Sequence, residues 1–555
     1  MDRPERLVPR RSSATLFATV VLAVVSLATG LAIAAAHPAA ALAATTTNSC
    51  QIPAGASDVI AAPVPGSASD WNLTSFDGTT IRVHWFPVAG ATTTHPEPTI
   101  LMGPGWGESG DTDTTTTSSG LFDFVTIRQL WDNGYNVLTW DPRGFGRSGG
   151  SAEIDSPAVE GRDMERIISW VATRPGVQLD RPGEPRLGMV GVSYGAGIQL
   201  TTAAVDCRVD AIVPIWSWHS LTTSLDKGNI AKNGWSGLLY AALAGRPIDP
   251  NLAQAHQESL STGLIDPAER AWFVQRGPGQ LVDRIHAPTL LVQGEEDDLF
   301  TLDEAITNYG ILRHGDVPTA MVWMCGGHGV CLTNPGNAKL VATRTLAWLS
   351  RYVKGERSVD VGPRFTFVDQ NGVTYGASDY PLPTTRSITA DGHGTFQLTA
   401  AGGSGPAHPP ADSSDPLAPI AGPVTPAKAA HALDVDVPVG SRSGLVVGAP
   451  QLRLTYRGTT PGGTRPTRVF AQIVDDTSGL VLDNQITPIV VTLDGRQHTT
   501  SVSLESVAYH AEPGAHLTLQ LVATTVAYAQ PRLGGTIRFE QIHLALPVVS
   551  GATAA

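Results

Sequence analysis

The sequence has few basic residues and no block of them after the first 43 positions. Lys and Arg number 37 against 50 Asp and Glu, so the formal net charge is -13. A protein that binds a phosphate backbone needs a concentrated basic surface. Nucleic acid is therefore not expected as a partner. The sequence also lacks a phosphate-cradling loop and clustered metal ligands, so we expect no metal and no other cofactor.

Charged residues make up only 16% of the chain, whereas hydrophobic residues make up 42%. A disordered chain has a different balance, with less hydrophobic and more charged sequence. We therefore expect a packed globular protein. At 555 residues the chain exceeds what one hydrophobic core usually organises. This length predicts two domains and an appendage.

The N-terminal segment has the order of an export signal. Arginines within residues 3–11 precede an apolar run over residues 14–36, and the stretch from Ala41 to Ala43 fits an A-x-A cleavage site. We therefore expect a signal peptide over residues 1–43 and a secreted or cell-envelope protein. The run is also about long enough to span a bilayer. An uncleaved membrane anchor is the alternative, and only then would a membrane be a partner.

Cysteine is scarce, and all four cysteines, Cys50, Cys207, Cys325 and Cys331, follow this segment. An even number in an exported protein suggests disulfides, and four cysteines allow three connectivities. Cys325 and Cys331 flank a glycine-rich loop, which a bridge would restrict. We predict a Cys325–Cys331 disulfide, which leaves Cys50 to pair with Cys207. Buried free thiols are the alternative.

Short apolar runs alternate with helical stretches from about residue 80 to residue 349. This alternation is typical of a parallel sheet covered by helices. The strand-like runs lie at residues 99–102, 135–140, 187–190, 211–215, 289–292 and 320–323. Apolar residues at helical spacing predict helices over residues 160–171 and 337–352.

Two further stretches differ from this pattern. Residues 216–286 are too many for a simple crossover and are rich in aromatic side chains, so we expect a helical cap whose aromatics mainly form its own core. Beyond about residue 361 the helical period gives way to alternating strands. These lie at residues 453–456, 468–474, 517–522 and 536–544, with a loop or linker at residues 402–427.

The pattern G-x-S-x-G occurs twice, at residues 146–150 and 191–195. It puts a serine on a strained turn between a strand and a helix, where larger neighbours would collide. The first copy has no strand directly before it and a polar stretch after it, so we reject Ser148. The second copy follows a strand and opens an apolar helix. Ser193 is therefore predicted as a nucleophile.

A nucleophilic serine needs a base and a carboxylate that orients the base, in the chain order Ser, acid, His. Asp297 follows a buried strand and a glycine turn, and we prefer it to Asp298 as the acid. A simple polar turn or helix cap is the alternative for both. His328 lies between glycines after the next strand, and we predict that it is the general base.

Other histidines fit this role less well. His219, at the entrance of the cap, is the serious competitor, but it precedes Asp297 and so has the wrong order. His84 and His510 are interpreted as ordinary surface or sheet residues.

Attack on a carbonyl carbon requires two preorganised N–H donors for the oxyanion. One is expected from the backbone of Tyr194, directly after the nucleophile. The other is expected from the glycine-rich loop at residues 103–107. Pro104 has no N–H, so we predict Trp106. The alternative is that this loop is only a tight turn.

Four stretches together resemble one known family. They are DPRGFGRSG at residues 141–149, GVSYG at 191–195, G-x-x-D-x-L-F at 294–300 and GHG at 327–329. The sequence is similar to the X-prolyl dipeptidyl-peptidase and cocaine-esterase group of serine hydrolases. The resemblance implies a triad of Ser193, Asp297 and His328. Well-known members supply a tyrosine hydroxyl to the oxyanion hole, whereas this loop has Gly105-Trp106.

The resemblance also implies the architecture, an α/β-hydrolase fold with a helical cap and a C-terminal all-β jelly-roll-like sandwich. We place the hydrolase domain at residues 44–355, its cap at about 216–286, and the β domain at 356–555. The expected substrate is a small-molecule ester or amide, or a peptide, cleaved through an acyl-enzyme. An X-prolyl exopeptidase is one alternative and would need cap acids, such as Asp226 or Glu258, at the pocket. A non-catalytic surface-binding protein is the other. Oligomeric state stays open.

Overall fold

The computed structural model describes residues 51–56, 58–118, 124–401, 403–404, 428–461 and 466–555. Residues 50–555 form one compact unit. The predicted signal segment, Cys50 and most of the predicted loop at 402–427 lie outside the described residues. Within those residues, no helix combines the length and the apolar character needed to cross a membrane.

The first part of the chain alternates strands with helices. Its strands are β1 (Ile60–Pro63), β2 (Asp70–Thr74), β3 (Thr80–Phe86), β4 (Thr99–Gly103), β5 (Asn136–Trp140), β6 (Leu179–Arg181), β7 (Glu184–Pro185), β8 (Leu187–Val192), β9 (Ala211–Ile215), β10 (Thr289–Gly294), β11 (Thr319–Met324), β12 (Phe365–Val368) and β13 (Thr374–Ala377). Its helices are α1 (Ile127–Asp132), α2 (Glu160–Val171), α3 (Tyr194–Val205), α4 (Leu221–Leu225), α5 (Asn233–Ala241), α6 (Pro250–Thr262), α7 (Pro267–Val274), α8 (Leu302–His314) and α9 (Leu340–Tyr352).

The centre of the molecule is a 12-stranded sheet in the order β1-β2-β3-β5-β4-β8-β9-β10-β11-β12-β13-β24, where β24 is Ala552–Ala554. Within this order, the seven strands β5, β4, β8, β9, β10, β11 and β12 run parallel to one another. Strands β5, β9, β10 and β11 are buried along their whole length, because helices cover both faces of a parallel sheet. Each predicted strand of this region is present within a few residues of its expected bounds.

Residues 216–286 contain the helices α4 to α7. Trp218, Trp235, Trp272 and Phe273 are buried in a cluster that these helices share with the loops above the sheet. The predicted helical cap is therefore part of the fold.

The later strands form two further sheets. They are β14 (Thr384–Gln397), β15 (Leu433–Pro438), β16 (Gly444–Gly448), β17 (Gln451–Thr459), β18 (Thr467–Asp475), β19 (Thr487–Val491), β20 (Asp494–Ser503), β21 (Val507–Ala511), β22 (His516–Val522) and β23 (Thr536–Val549). One sheet has the order β20-β17-β23-β16-β21, with β14 also paired to β23, and the other has the order β15-β22-β18-β19. Buried and exposed positions alternate along β17 and much of β23. The predicted fold class, an α/β-hydrolase with a cap and a C-terminal β domain, is confirmed.

The limits of the two domains differ from the predicted boundary between residues 355 and 356. Strands β12 and β13, which come after it, belong to the central sheet, and the sheet is completed by β24 near the end of the chain. Antiparallel strands of this kind have no intervening helix, so in sequence they resemble the strands of the β domain. The β domain begins at β14 and ends with β23. The chain then returns to the central sheet as β24.

Candidate active site

The turn at Ser193 connects the end of β8 to the start of α3 and is strained. Ser193 has φ 58° and ψ -115°, in a region that residues other than glycine rarely adopt. A Cβ atom on Gly195 would lie 2.2 Å from the carbonyl oxygen of Gly103, and one on Gly191 would lie 2.7 Å from the carbonyl oxygen of Gly195. Glycine is therefore required on both sides of the serine, as the motif implies.

The structure brings Ser193, His328 and Asp297 into one hydrogen-bonded line. The distance from Ser193 Oγ to His328 Nε2 is 2.7 Å, and the distance from His328 Nδ1 to Asp297 Oδ2 is also 2.7 Å. A carboxylate accepts the Nδ1 hydrogen, which leaves Nε2 of the neutral ring free to accept the serine proton. These residues come from the ends of β8, β10 and β11, which meet at one edge of the sheet.

Asp297 and Asp298 have different partners. Asp297 is fully buried, and its Oδ1 accepts hydrogen bonds from the backbone N–H of Leu299 at 3.1 Å and of Phe300 at 2.8 Å. Asp298 Oδ1 instead accepts a hydrogen bond from Trp235 Nε1 at 2.7 Å. Burial raises the pKa of Asp298 to about 7. Asp297 alone of the two makes a hydrogen bond to the imidazole of His328.

The loop that carries His328 is closed by the predicted Cys325–Cys331 disulfide, which the structure contains. Gly327 has φ 144°, and a Cβ atom there would lie 2.5 Å from Asp297 Cβ, so the loop packs tightly on the acid. Cys207 is also disulfide-bonded, whereas Cys50, its predicted partner, lies outside the described residues.

Glu296 also holds the loop that carries His328. Its carboxylate accepts hydrogen bonds from the backbone N–H of Gly326 and of Leu332. Burial raises the pKa of Glu296 to about 7, although these N–H groups act in the opposite direction. Together with Cys325 and Cys331 it forms the one group of potential metal-ligating side chains found among the described residues. Both sulfurs are bonded to each other, so neither is a thiolate ligand.

The residues predicted for the oxyanion hole lie beside the serine. Tyr194 is the first residue of α3, and the ring of Trp106 meets the ring of Tyr194 edge to face, with centroids 4.9 Å apart. Trp106 Nε1 donates a hydrogen bond to the carbonyl oxygen of Leu239 in the cap, at 2.8 Å. The backbone N–H of Gly105 donates a hydrogen bond to Glu108 Oε2. The loop is thus anchored to the cap.

An apolar cavity lies between the serine and the cap. Its walls include Ser193 and Tyr194 together with hydrophobic side chains from the sheet edge and the cap, among them Ile154, Leu221, Leu239, Phe273 and Phe300. None of the described residues that line it is acidic. Tyr240 and His256 stack on each other at its wall, with centroids 3.8 Å apart.

The cap acids considered for an ammonium group lie elsewhere. Asp226 is buried and forms an ion pair with Arg270 at 2.9 Å. Glu258 accepts hydrogen bonds from Gln254 and from the backbone N–H of Asp266. Neither lines the apolar cavity.

The other residues weighed in the sequence have structural partners. Ser148 Oγ donates a hydrogen bond to the carbonyl oxygen of Asp141 at 2.6 Å. His219 Nδ1 lies 2.9 Å from Asn308 Oδ1. His84 is buried between Asp70 and Asp141; burial opposes its protonation, but the two carboxylates raise its pKa above the ordinary value. None of these side chains contacts Ser193 through a described hydrogen bond.

Sequence reasoning missed the side chains that hold the loop carrying Asp297. Lys232 of the cap and Gln485 and Glu505 of the β domain reach this loop. They are isolated polar residues without a motif, and Gln485 is 188 positions from Asp297. No local pattern could have indicated them.

Residues 77–329 match the family model for X-Pro dipeptidyl-peptidases of the S15 family. Among curated proteins, a polyketide transferase from a Penicillium species is 28% identical over 148 residues, which is 26% of this chain and 44% of that protein. The chain thus spans less than half the length of this curated relative.

Solved structures show the same architecture over most of the chain. A CocE/NonD family hydrolase from Staphylococcus aureus has a TM-score of 0.60 at 15% identity, covering 89% of this chain and 94% of that one. An α-amino acid ester hydrolase has a TM-score of 0.60 at 13% identity, covering 92% and 100%. The match of residues 77–329 to the X-Pro dipeptidyl-peptidase (S15) family model confirms the resemblance found in the sequence, and the solved structures share the fold of this chain.

Proposed function

We propose that the protein is a serine hydrolase that cleaves an ester or amide bond through an acyl-enzyme. The observation that carries this proposal is the line of two hydrogen bonds, each 2.7 Å long, from Ser193 Oγ through His328 to Asp297. Serine becomes an effective nucleophile only when a base removes its proton, and the base needs the correct tautomer. Both conditions are supported by this geometry.

In the first half of the reaction, Ser193 Oγ attacks the carbonyl carbon while His328 Nε2 takes the hydroxyl proton. Asp297 stabilises the imidazolium that forms. The oxyanion is bound by the backbone N–H of Tyr194 and by that of Trp106. His328 then gives its proton to the leaving alcohol or amine, and the acyl group stays on Ser193.

In the second half, water replaces the leaving group. His328 removes a proton from this water, the hydroxide attacks the acyl carbon, and Ser193 regains its proton as the acid is released. The anchored loop at Gly105-Trp106 supports preorganised donors, because its ring contacts and its hydrogen bond to Leu239 fix its position.

The cavity favours a substrate with an uncharged, apolar acyl group. An N-terminal ammonium group needs a carboxylate partner when it is buried, and the described lining offers none. This argues against X-prolyl exopeptidase activity despite the family name. It also argues against an α-amino acid ester, the substrate in the name of one structural neighbour. We therefore infer that simple carboxylic esters are the better substrates.

We also propose that the protein is exported. The N-terminal segment has the charge and hydrophobicity pattern of a signal peptide, and the disulfide between Cys325 and Cys331 would be stable in an oxidising compartment. Mass spectrometry of the N-terminus of protein recovered from the culture medium tests this, and retention of the intact chain in the cell would contradict it.

The catalytic proposal is tested with Ser193→Ala and with Ser148→Ala as its matched control, since both serines lie in the same sequence pattern. A fluorophosphonate probe should label the wild type and Ser148→Ala, but not Ser193→Ala. Turnover of p-nitrophenyl esters should fall by at least about 10³-fold in Ser193→Ala. Labelling or turnover that survives in Ser193→Ala would refute the triad.

The substrate proposal is tested by comparing acyl esters with X-prolyl p-nitroanilides on the wild-type protein. We expect kcat/KM to increase as the acyl chain lengthens from acetate, because each buried methylene adds about 0.8 kcal/mol of transfer free energy. Faster cleavage of an X-prolyl peptide than of any ester in the series would favour the exopeptidase.

A further inference from the structure

The segment that carries Asp297 has no regular structure, yet its backbone carbonyl groups are bound by side chains from elsewhere. We call residues 295–301, which directly follow β10, the acid loop. The amide nitrogen of Gln485, in the β domain, donates hydrogen bonds to the carbonyl oxygen of Glu295 at 2.9 Å and of Asp297 at 3.1 Å. One side chain from the β domain therefore holds the backbone on both sides of Glu296, at Glu295 and at Asp297.

The orientation of this amide follows from its surroundings. Two carbonyl oxygens face Gln485, and only the NH2 end of an amide can donate to both of them. Gln485 is buried, so these bonds have little competition from water. Loss of the donor would leave two buried carbonyl groups to find other partners.

The backbone before Gln485 is shaped to present it. Asp483 and Asn484 both lie in the left-handed region, with φ 48° and 55°, in a 3-10 turn over Leu482–Asn484. Asp483 Oδ2 accepts a hydrogen bond from the backbone N–H of Ala508, in β21. A conformation of this kind is maintained only when neighbouring contacts stabilise it. The position of Gln485 is therefore set by the β domain.

The other end of the acid loop is held by two more distant side chains. Lys232 Nζ, from the cap, donates to the carbonyl oxygens of Asp298 at 2.6 Å and Leu299 at 3.0 Å. Glu505 Oε2, from the β domain, accepts a hydrogen bond from Thr301 Oγ1 at 2.8 Å. The acid loop is therefore held from both the cap and the β domain.

We propose that Gln485 is a positioning residue for Asp297, so that the β domain takes part in forming the catalytic site. This inference rests on the proposed function, because it assigns Gln485 a role in the reaction of Ser193, His328 and Asp297. The hydrogen bonds from Gln485 fix the backbone at Asp297, and the backbone fixes the distance between the carboxylate and His328 Nδ1. Gln485 is not among the residues that line the apolar cavity, and the hydrogen bond described for Ser193 is made to His328.

The test variant is Gln485→Met, which keeps the length and approximate volume of the side chain but removes the donor. A small displacement of a catalytic group can cost about 10²-fold in rate, so we expect kcat to fall about 10- to 100-fold. KM should change less than kcat, because Gln485 is not among the residues that line the apolar cavity. The downfield proton resonance of the hydrogen bond between His328 and Asp297 should weaken or disappear.

The matched control is Gln472→Met. Gln472 is a buried glutamine of the same domain, and its amide nitrogen bonds to Gln520 rather than to the acid loop. We expect this control to lower the melting temperature to a similar extent, while kcat and the downfield resonance stay as in the wild type. A purely structural role of Gln485 would make the two variants alike.

Gln485→Glu is the second variant and keeps the shape of the side chain. The carboxylate has no hydrogen to donate and the protonated acid has only one, so Glu cannot bond to both carbonyl oxygens and kcat should fall. Folded, fluorophosphonate-reactive protein with wild-type kcat in both variants would overturn the inference. Failure of the proposed function is recognised separately, because Ser193→Ala would then remain active.

Discussion

Two adjacent carboxyl groups, those of Asp297 and Asp298, show how far the role of a residue depends on its direction. Asp297 faces His328 and accepts two backbone N–H groups, whereas Asp298 faces Trp235 and lies close to the buried ammonium group of Lys232. The sequence indicates that one acid of this pair orients the base. Asp297 is the acid that faces His328, whereas the side chain of Asp298 lies on the other side of the chain.

Substitution at these positions separates the two roles. Asp297→Asn should lower kcat by about 10³- to 10⁴-fold, because an amide can stabilise the wrong tautomer of His328. Asp298→Asn keeps an oxygen acceptor for Trp235 and should change kcat by less than about tenfold. Steady-state kinetics on one ester settles the ranking, and the reverse order would move the catalytic acid by one position.

The same pair gives a prediction for pH. Burial raises the pKa of Asp298 from 3.8 to about 7, so between these values the folded protein binds a proton that the unfolded chain has released. Stability therefore decreases as pH rises through this window. Asp298→Asn removes that titration and should flatten the decrease. Urea unfolding of both proteins between pH 4 and 7 measures it, and parallel curves would contradict the assignment.

Short sequence motifs indicate the catalytic residues that lie within them, but they do not indicate residues that reach the site from distant parts of the chain. Ser193 and His328 were found because glycines flank them in short motifs, and the structure brings both together with Asp297. Gln485 and Lys232 act through side chains that cross from other parts of the fold. Their identity depends on the tertiary structure, which a motif does not report.

The loop of residues 325–331 is an element whose shape is held in two ways. The disulfide joins its ends, which are six positions apart, and Glu296 accepts N–H groups from Gly326 and Leu332. Gly326 and Gly327 both have positive φ, so without these restraints the loop would have many accessible conformations. His328 depends on this element for its position.

Removal of the disulfide should affect catalysis more than stability. A ring this short contributes about 2 kcal/mol through the unfolded state, so the double variant Cys325→Ser, Cys331→Ser should lose about 5 °C or less in Tm. We expect kcat to fall about tenfold, because His328 samples more positions. Calorimetry and ester kinetics on the same samples measure both, and an unchanged kcat would show that Glu296 and the local packing suffice.

At the scale of elements, the sequence predicted most strands and helices of the hydrolase region, because their apolar residues follow simple periods. Helix α2 occupies Glu160–Val171, as its spacing indicates. The domain boundary could not be found in this way. The sequences of strands β12 and β13 resemble those of the β-domain strands that follow. Only the hydrogen bonds of β12 to β11 and of β13 to β12 assign them to the central sheet.

On the scale of the whole molecule, the hydrolase region and the β domain share their cores. Phe470 and Val522 of the β domain pack in one cluster with Ile230 and Ala231 of the cap. Val447 and Ala508 of the β domain belong to the large cluster that also contains Phe365 of the central sheet. Residues 50–555 accordingly form one compact unit, and we expect them to unfold together.

The distribution of tryptophan makes this expectation testable, because all 12 tryptophans precede residue 356 and their fluorescence therefore reports on the hydrolase region alone. Leu519 is fully buried in the β domain, and Leu519→Ala should cost about 2–5 kcal/mol. If the two parts unfold as one unit, the fluorescence midpoint should fall with the calorimetric midpoint, although no tryptophan lies in the β domain. A fluorescence midpoint that stays at the wild-type temperature, with a separate earlier calorimetric peak, would show that the β domain unfolds alone. In that case, activity is measured across the earlier peak. If activity is lost there while the fluorescence is unchanged, the contacts from Gln485 and Glu505 are needed for catalysis but not for the hydrolase fold.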